Sequence, residues 1–415
     1  MKKMFSSLLA IFTSALLLSG SGIAVCAQGA ETEISSADLS GAVLTIGEYE
    51  EENGTDISVL SNFAEGSYNY GDFLDENNTA VYNEFRKLVE PSTDKVTIEL
   101  PVTVTFETST SSASKFTDED STAFSQAVFG ACKPGIDSVL FDYPEIFWLD
   151  SANMSISIGN DTKCSYSSSS GKYKWKVYTI IITPKYYDVY GSLADVSEYK
   201  EKLEDAVDAF AVEGATRYDT LKAVHDKISE FTYYDTAATF SDSPIGALVE
   251  PGVVCEGYSE AFKLCCDSLG IPCVLVFGNY NAEAKTAHMW NYVQMEDGKW
   301  YAVDVTWDDL DNASVVKYAY FLKGSVSFNT NHTPSADYII TQLTYPELST
   351  DDYVPGAQPV YAQGDLNRDG SVGVADLVYC YNAVMGDEVK YSCDANADGR
   401  VSSLDITYMR KLLIG

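Results

Sequence analysis

Apolar and polar residues alternate with two different periods along most of the chain. Apolar residues that recur every three or four positions predict helices over residues 80–89, 124–140, 196–211, 219–231 and 254–269. Alternation at every second position predicts strands over residues 96–99, 102–107, 154–158, 173–183, 287–295 and 299–307. Because helices and strands are mixed along the chain, the pattern indicates an α+β fold.

The first 66 residues lack this periodicity. Residues 1–27 carry two lysines near the start, an apolar stretch over 8–18 and Ala27 before the expected cleavage point, which is typical of a signal peptide. Residues 28–66 are polar, acidic and aperiodic, which predicts a flexible acidic lead-in. No later stretch resembles a membrane span, so we expect a secreted, extracellular protein.

Length and composition indicate several modules. A chain of 415 residues with 46% hydrophobic and 21% charged residues can form roughly two or three packed domains. We predict an N-terminal α+β domain over residues 67–193, a second domain over 194–345, a proline-containing linker over 346–363 and a small module over 364–415. The net charge of −34 excludes nucleic acid and anionic membrane surfaces as partners, because like charges repel.

Cys255 is the candidate nucleophile. It falls in the first turn of the predicted helix over 254–269, which Gly270 terminates. The unpaired amide hydrogens and the dipole of a helix N-terminus stabilise a thiolate there. Cys265 and Cys266 lie on the apolar stripe of the same helix, where we expect buried structural thiols.

The two strands after this helix supply the other candidate catalytic residues. Residues 296–298 suit a three-residue hairpin loop with Gly298 in the left-handed conformation. That loop pairs residue 295 with 299 and residue 290 with 304, so His288 and Asp304 project from one face of the sheet. A two-residue loop would instead shift the register and place Asp304 on the opposite face.

The longer loop therefore predicts a Cys255, His288 and Asp304 triad. His288 would accept the thiol proton or pair with the thiolate, and Asp304 would hold the imidazole tautomer. The chain has three histidines. We expect the other two, His225 and His332, to be structural, because neither has a cysteine and a carboxylate at comparable spacing. No zinc site is predicted, since the short ligand spacings of structural zinc sites are missing.

Three motifs resemble those of the bacterial transglutaminase-like domains. They are Val254-Cys255-Glu256-Gly257-Tyr258, Ala287-His288-Met289-Trp290-Asn291 and Val303-Asp304-Val305-Thr306-Trp307-Asp308. The resemblance covers residues 195–345 and implies a papain-like α+β fold with acyl-enzyme chemistry on protein amide bonds. We expect peptidase-type hydrolysis, with a protein cross-linking transglutaminase or a non-catalytic tethered binding protein as alternatives. The oxyanion hole would include the Cys255 amide.

Two acidic loops repeat near the end of the chain, 29 residues apart from Asp365 to Asp394. Each reads D-x-N-x-D-G-x-x-x-x-x-D, which offers Ca²⁺ hard oxygen ligands at positions 1, 3, 5, 7 and 12. The predicted ligands are Asp365, Asn367, Asp369, Ser371 and Asp376 in the first loop and Asp394, Asn396, Asp398, Arg400 and Asp405 in the second. We expect two structural calcium ions and no other cofactor.

These loops resemble a type I dockerin over residues 364–415, because an aspartate stands at position 12 and a helix follows each loop. The resemblance implies a small all-α, calcium-binding module that binds a cohesin of a scaffoldin, and so attachment to a cellulosome or a related cell-surface assembly. The contact residues it implies are Val374, Ala375, Ser403, Leu404, Arg410 and Lys411. Cys380 and Cys393 would either form a disulfide or remain buried thiols.

Overall fold

The computed structural model describes residues 68–280, 286–309, 317–356, 364–367, 372–386, 389, 393–396 and 400–414. The predicted signal peptide and acidic lead-in lie outside these residues. Helices and strands are mixed throughout, which confirms the α+β prediction.

Eleven α-helices occur in the part of the chain just defined. They are α1 (Glu76–Phe85), α2 (Asp118–Gly130), α3 (Lys133–Asp142), α4 (Leu193–Phe210), α5 (Arg217–Phe231), α6 (Pro244–Leu248), α7 (Cys255–Ser268), α8 (Val305–Asp308), α9 (Ser325–Phe328), α10 (Val374–Met385) and α11 (Ser403–Ile414). Short 3₁₀ helices span Tyr70–Phe73, Arg86–Val89, Ala113–Lys115, Pro144–Ile146 and Asp188–Tyr190. None of the described helices is both long enough and apolar enough to cross a bilayer.

The strands form three antiparallel sheets. Their bounds are β1 (Val96–Thr108), β2 (Ser155–Ile158), β3 (Lys163–Ser167), β4 (Lys172–Thr183), β5 (Cys273–Tyr280), β6 (Thr286–Gln294), β7 (Trp300–Val303), β8 (His332–Pro334), β9 (Asp337–Tyr338) and β10 (Thr341–Gln342). The first sheet has the order β1-β4-β2, with β3 also pairing with β4. The second has the order β7-β6-β5-β8, and β9 and β10 form a two-stranded ribbon.

The N-terminal segment differs from the sequence prediction in its first strand and in one helix. The strands predicted over 96–99 and 102–107 are one strand, β1, whose register against β4 shifts between Glu99 and Val104. The helix predicted over 124–140 is two helices, because the chain breaks at residues 131–132 and Pro134 lies in the first turn of α3. Proline has no amide hydrogen to continue a helix, but it fits the first turn of a new one.

The second sheet has the predicted hairpin register. Tyr292 pairs with Ala302 and Gln294 pairs with Trp300, which is the alignment that the three-residue loop requires. Gly298 has φ of 75°, and its amide donates to the Met295 carbonyl at 3.0 Å. The left-handed turn at Gly298 therefore sets which residues of β6 and β7 share a face.

The N-terminal segment packs directly against the segment that carries Cys255. One continuous apolar cluster contains Phe85 and Val177 from the first and Phe262 and Val293 from the second. The Thr341 hydroxyl also donates to Asp137 of α3 at 2.6 Å. The domain boundary at residue 193 stays a prediction. The segments before and after it share one apolar core.

The C-terminal helices α10 and α11 enclose a small core of their own. Its buried members are Leu366, Cys380, Cys393, Ala395 and Met409. Cys380 and Cys393 lie in this core without a disulfide between them. The sequence left open whether Cys380 and Cys393 form a disulfide or remain buried thiols, and in the structure they are buried thiols.

Candidate active site

Helix α7 presents Cys255 at its first position. Val254 precedes the helix in an extended conformation, and the apolar face of Tyr258, Phe262 and Cys265 is completely buried. This burial fixes the rotation of the helix, so Cys255 is directed at the second sheet. Burial also raises the pKa of the Cys265 thiol, which keeps that thiol protonated in its predicted structural role.

Gly257 allows the start of α7 to lie against a neighbouring loop. A Cβ at this position would overlap the Val253 side chain and the backbone carbonyl of Ser243. At the next turn, the Asn291 side-chain amide of β6 donates to the Ser259 carbonyl at 3.0 Å. The glycine and this hydrogen bond together fix the distance between Cys255 and strand β6.

His288 lies between Cys255 and Asp304. Its Nε2 is 2.7 Å from Oδ2 of Asp304, and its ring also forms a hydrogen bond with the Cys255 side chain. Because Nε2 is directed at the carboxylate, Nδ1 is the ring nitrogen left for the thiol. The structure thus brings the three predicted residues together, with the imidazole in the middle.

The charges of this group reinforce one another. Burial lowers the pKa of His288, but the charge and hydrogen bond of Asp304 and the hydrogen bond of Cys255 outweigh burial and raise it to about 10. Burial raises the pKa of Asp304, yet the charge and hydrogen bond of His288 hold it well below its ordinary value. A buried carboxylate beside a protonated imidazole is therefore the stable state near neutral pH, and an imidazolium favours an adjacent thiolate.

Beyond Val303 the chain differs from the prediction. Strand β7 ends there, and Asp304 caps the short helix α8 by accepting from the Trp307 amide at 3.1 Å. The strand predicted over 299–307 was therefore too long at its end. As a result Trp307 lies within the site, with its ring centroid 4.7 Å from that of His332 and 5.8 Å from that of His288.

The group around Asp304 also includes His332, which we expected from the sequence to be structural and did not place in the site. His332 begins strand β8 on the other side of β5, and its Nε2 lies 3.0 Å from Oδ2 of Asp304. Nothing in the local sequence indicates this contact, because it joins residues 28 positions apart through the pairing of β8 with β5. His225, by contrast, lies beside Asp226 and Asp308 and does not reach the group around Cys255.

His288, Asp304 and His332 are also the one metal-ligating cluster found among the described residues, with ligand atoms within 4.8 Å of one another. Tetrahedral zinc holds nitrogen and oxygen ligands at about 2.0–2.2 Å, which separates the ligand atoms by roughly 3.3 Å. The observed separations of 2.7 and 3.0 Å match hydrogen bonds instead. Hydrogen bonding accounts for the cluster without a metal.

The acidic loops have the same arrangement around the last aspartate of each repeat. Oδ1 of Asp376 accepts from the Leu366 and Asn367 amides at 2.7 and 3.1 Å, and Oδ2 accepts from Gly373 at 2.8 Å. Asp405 likewise accepts from Asn396 at 3.2 Å and Ser402 at 2.7 Å. Both carboxylates are fully buried, and each accepts amide hydrogens from described residues near both ends of its loop.

This arrangement fits a hard divalent cation, which requires several oxygen ligands on a tight loop. The predicted ligands within the described residues are Asp365, Asn367, Asp376, Asp394, Asn396, Arg400 and Asp405, and Asp369, Ser371 and Asp398 lie outside them. The predicted cohesin contacts, Val374, Ala375, Ser403, Leu404, Arg410 and Lys411, are all exposed.

Two family models match the chain. The model of the transglutaminase-like superfamily matches residues 205–305, and that of the type I dockerin domain matches residues 363–414. No curated protein matches the chain. Both resemblances indicated by the sequence motifs are thereby confirmed.

The solved structures that match parts of the chain are distant in sequence. A TGase shares 17% identity over 41% of this chain and 49% of its own, with a TM-score of 0.24, so the chain spans about half of its length. The periplasmic domain of TgpA from Pseudomonas aeruginosa bound to ethylmercury shares 14% over 33% and 56%, with a TM-score of 0.21. A candidate cysteine protease from Cytophaga hutchinsonii shares 14% over 62% and 94%, with a TM-score of 0.23.

The chain therefore carries a transglutaminase-like core at residues 205–305, followed by a type I dockerin domain at residues 363–414.

Proposed function

We propose that this protein is a secreted cysteine enzyme that hydrolyses protein amide bonds through Cys255, His288 and Asp304. The observation that carries the proposal is the position of His288, which forms hydrogen bonds with both the Cys255 thiol and the Asp304 carboxylate. Nucleophile, proton carrier and orienting carboxylate are the three groups that thiol-based acyl transfer requires.

The chemistry follows from these contacts. The Cys255 sulfur attacks the substrate carbonyl, and His288 gives its proton to the departing amine as the carbon–nitrogen bond breaks. The developing oxyanion is stabilised by the amide of Cys255 at the start of α7. His288, now neutral, then takes a proton from water, and the resulting hydroxide releases the acyl group from sulfur.

The decisive test compares Cys255→Ala with the wild type on a peptide library read by mass spectrometry. We expect cleavage to fall at least about 10³-fold, because removal of a nucleophile abolishes the covalent route. Iodoacetamide labelling at residue 255 should also be lost. Cys132→Ala is the matched control, since Cys132 is also a buried thiol but lies in the N-terminal segment, and it should cleave like the wild type. Unchanged cleavage by Cys255→Ala would refute the proposal.

The same assay distinguishes hydrolysis from cross-linking. A fluorescent primary amine is added with a glutamine-containing protein, and incorporation of label is compared with peptide cleavage. Cleavage without incorporation supports hydrolysis. Incorporation that depends on Cys255 would identify a cross-linking enzyme, and neither activity in a folded protein would favour a tethered binding protein.

We further propose that the dockerin binds calcium through its two loops and attaches the enzyme to a cohesin of a scaffoldin. The buried anionic centres at Asp376 and Asp405 support the calcium sites. The exposed side chains of Val374 and Leu404, with the basic pair Arg410 and Lys411, support a protein-binding surface. Together with the signal peptide predicted from residues 1–27, these features support a location outside the cell, on a cellulosome or a related assembly.

A further inference from the structure

Asp304 accepts hydrogen bonds from two imidazoles on one oxygen. Its Oδ2 lies 2.7 Å from Nε2 of His288 and 3.0 Å from Nε2 of His332, while Oδ1 accepts from the Trp307 amide at 3.1 Å. The three donors belong to different elements, β6, β8 and α8. A carboxylate held from three directions has little freedom to rotate.

The His332 ring is itself held on both sides. It is completely buried, and it stacks on Phe328 with ring centroids 4.2 Å apart. Its Nδ1 lies 2.8 Å from Oδ1 of Asn331, whose amide donates in turn to the Tyr320 hydroxyl at 2.9 Å. Hydrogen bonds at both nitrogens and a stacked ring thus define one orientation for Nε2.

An imidazole is an unusual choice for this space if packing is its only role. The surrounding rings of Phe328, Trp290 and Trp307 are aromatic, and burying polar nitrogens among them costs free energy unless the nitrogens are hydrogen-bonded. An apolar side chain would fill the same volume without that cost. What distinguishes His332 from an apolar residue is the hydrogen bond that it donates to Asp304.

We propose that His332 is a positioning residue, which holds the Asp304 carboxylate in the orientation that anchors His288 within reach of Cys255. The inference rests on the proposed function, because it assigns His332 a role in the reaction of that same site. His332 acts through Asp304 and does not touch the reacting sulfur. Loss of its hydrogen bond lets the carboxylate turn, and displacement of a catalytic group by about 1 Å costs on the order of 10²-fold in rate.

The test compares His332→Gln with His332→Met in the full-length protein. Glutamine and methionine have similar length and volume, but only the glutamine amide can donate to Asp304. The readout is the second-order rate constant for iodoacetamide labelling of Cys255, measured against pH with the labelled peptide identified by mass spectrometry. The titratable side chains that the described contacts place against His332 are Asp304, His288 and Tyr320, with Tyr280 on the paired strand.

In His332→Met we expect Cys255 to be labelled at least about tenfold more slowly at neutral pH, with the onset of labelling about one pH unit higher. The reason is that the Asp304 carboxylate is then no longer held in a fixed position beside the His288 imidazolium. His332→Gln should remain within about threefold of the wild type, since a donated hydrogen bond to the carboxylate is preserved. Equal rates for the two variants, whether both are unchanged or both are reduced, would overturn the inference.

Two further variants serve as controls. His225→Gln and His225→Met make the same pair of changes at an equally buried histidine beside Asp226 and Asp308. Cys255 should be labelled at the same rate in these two variants. If the two His332 variants differ in thermal midpoint, Asn331→Ala provides the second measurement. This change removes the partner of His332 Nδ1 at a half-buried position. Labelling of Cys255 at the wild-type rate in Asn331→Ala would also overturn the inference.

The failure of this inference is distinct from failure of the proposed function. If wild-type Cys255 is not labelled, or if Cys255→Ala still cleaves peptides, the proposed function fails. If wild-type Cys255 reacts normally and the glutamine and methionine variants match each other, only the role of His332 fails.

Discussion

At the scale of single residues, the protonation of His288 decides which chemistry Cys255 can perform. The ring is buried, yet the Asp304 charge and the contact with Cys255 raise its pKa to about 10. An imidazolium that persists through the neutral range can pair with a thiolate and can supply a proton to a leaving amine. Asp304 is therefore the residue on which the protonation of the site depends.

Replacing Asp304 with Asn should lower the pKa of His288 from about 10 towards its ordinary 6.5. The amide keeps the shape of the carboxylate but removes its charge and presents a donor to Nε2, which favours the wrong tautomer. We expect peptide cleavage to fall on the order of 10³-fold to 10⁴-fold. NMR titration of the three histidines measures the pKa directly, and Asp188→Asn, at an exposed aspartate, should leave it unchanged. A His288 resonance that still titrates near pH 10 in Asp304→Asn would contradict the assignment.

The same shift makes folding stability depend on pH. The pKa of His288 is higher in the folded chain than its ordinary 6.5, so the folded state binds the proton more tightly. Its contribution to stability is complete below pH 6.5 and is lost as the pH rises to about 10. In Asp304→Asn this loss of thermal midpoint between pH 6.5 and 10 should be smaller.

At the scale of helices and strands, the start of α7 is fixed by a close contact rather than by a capping side chain. Gly257→Ala would force the first turn away from Val253 and Ser243 and displace Cys255 from His288. We expect a loss of about 1–3 kcal/mol in the free energy of unfolding and a larger relative loss of labelling at Cys255. Gly130→Ala, at the end of α2 where a Cβ meets nothing within 4 Å, should leave both measurements at their wild-type values or above.

Gly257→Ala with wild-type stability and labelling would show that the loop yields without moving the helix. Urea unfolding gives the free energy, and iodoacetamide kinetics give the position of the thiol. Measuring both separates a general loss of stability from a local displacement of the nucleophile.

Local sequence rules predicted the elements that depend on short-range signals. Gly298 predicted the hairpin loop and the register between β6 and β7. That register brings His288 of β6 close to Asp304, which directly follows β7. The rules failed after Val303, because Val305, Thr306 and Trp307 favour a strand while Asp304 caps a helical turn through the Trp307 amide. The break between α2 and α3 was missed although Pro134 marks it.

His332 could not be predicted in this way. Its strand has three residues, too few to show a period, and its partner Asp304 is reached only after β8 pairs with β5. Contacts of this kind depend on the assembled sheet. The triad was predictable because all three residues lie at the ends of periodic elements, and the residue supporting it was not.

At the scale of the whole molecule, the dockerin has a separate core and should respond to calcium separately. Among the described residues its buried cluster contains only dockerin residues, and the carboxylates of Asp376 and Asp405 are fully buried as well. Addition of EGTA should unfold residues 364–415 and abolish binding to cohesins, because the loop carboxylates would then repel one another. Labelling of Cys255 should be unchanged.

Asp376→Ala should mimic the chelator, and Asp351→Ala, at an exposed aspartate of the predicted linker outside both calcium loops, should not. Calorimetry with and without calcium resolves the dockerin transition from that of the remainder. Cohesin binding that persists in EGTA, or a dockerin transition indifferent to calcium, would contradict the proposed calcium sites.

The shared core of the first two segments limits how this chain can be divided. The Tyr70 hydroxyl donates to the Leu275 carbonyl on β5, the strand that lies between His288 on β6 and His332 on β8. Residues outside the matched 205–305 region thus support the scaffold on which both histidines are mounted. Transfer of the proposed activity to another carrier protein should therefore require residues 68–356 as one unit, whereas we expect the dockerin, with its own core, to be exchangeable.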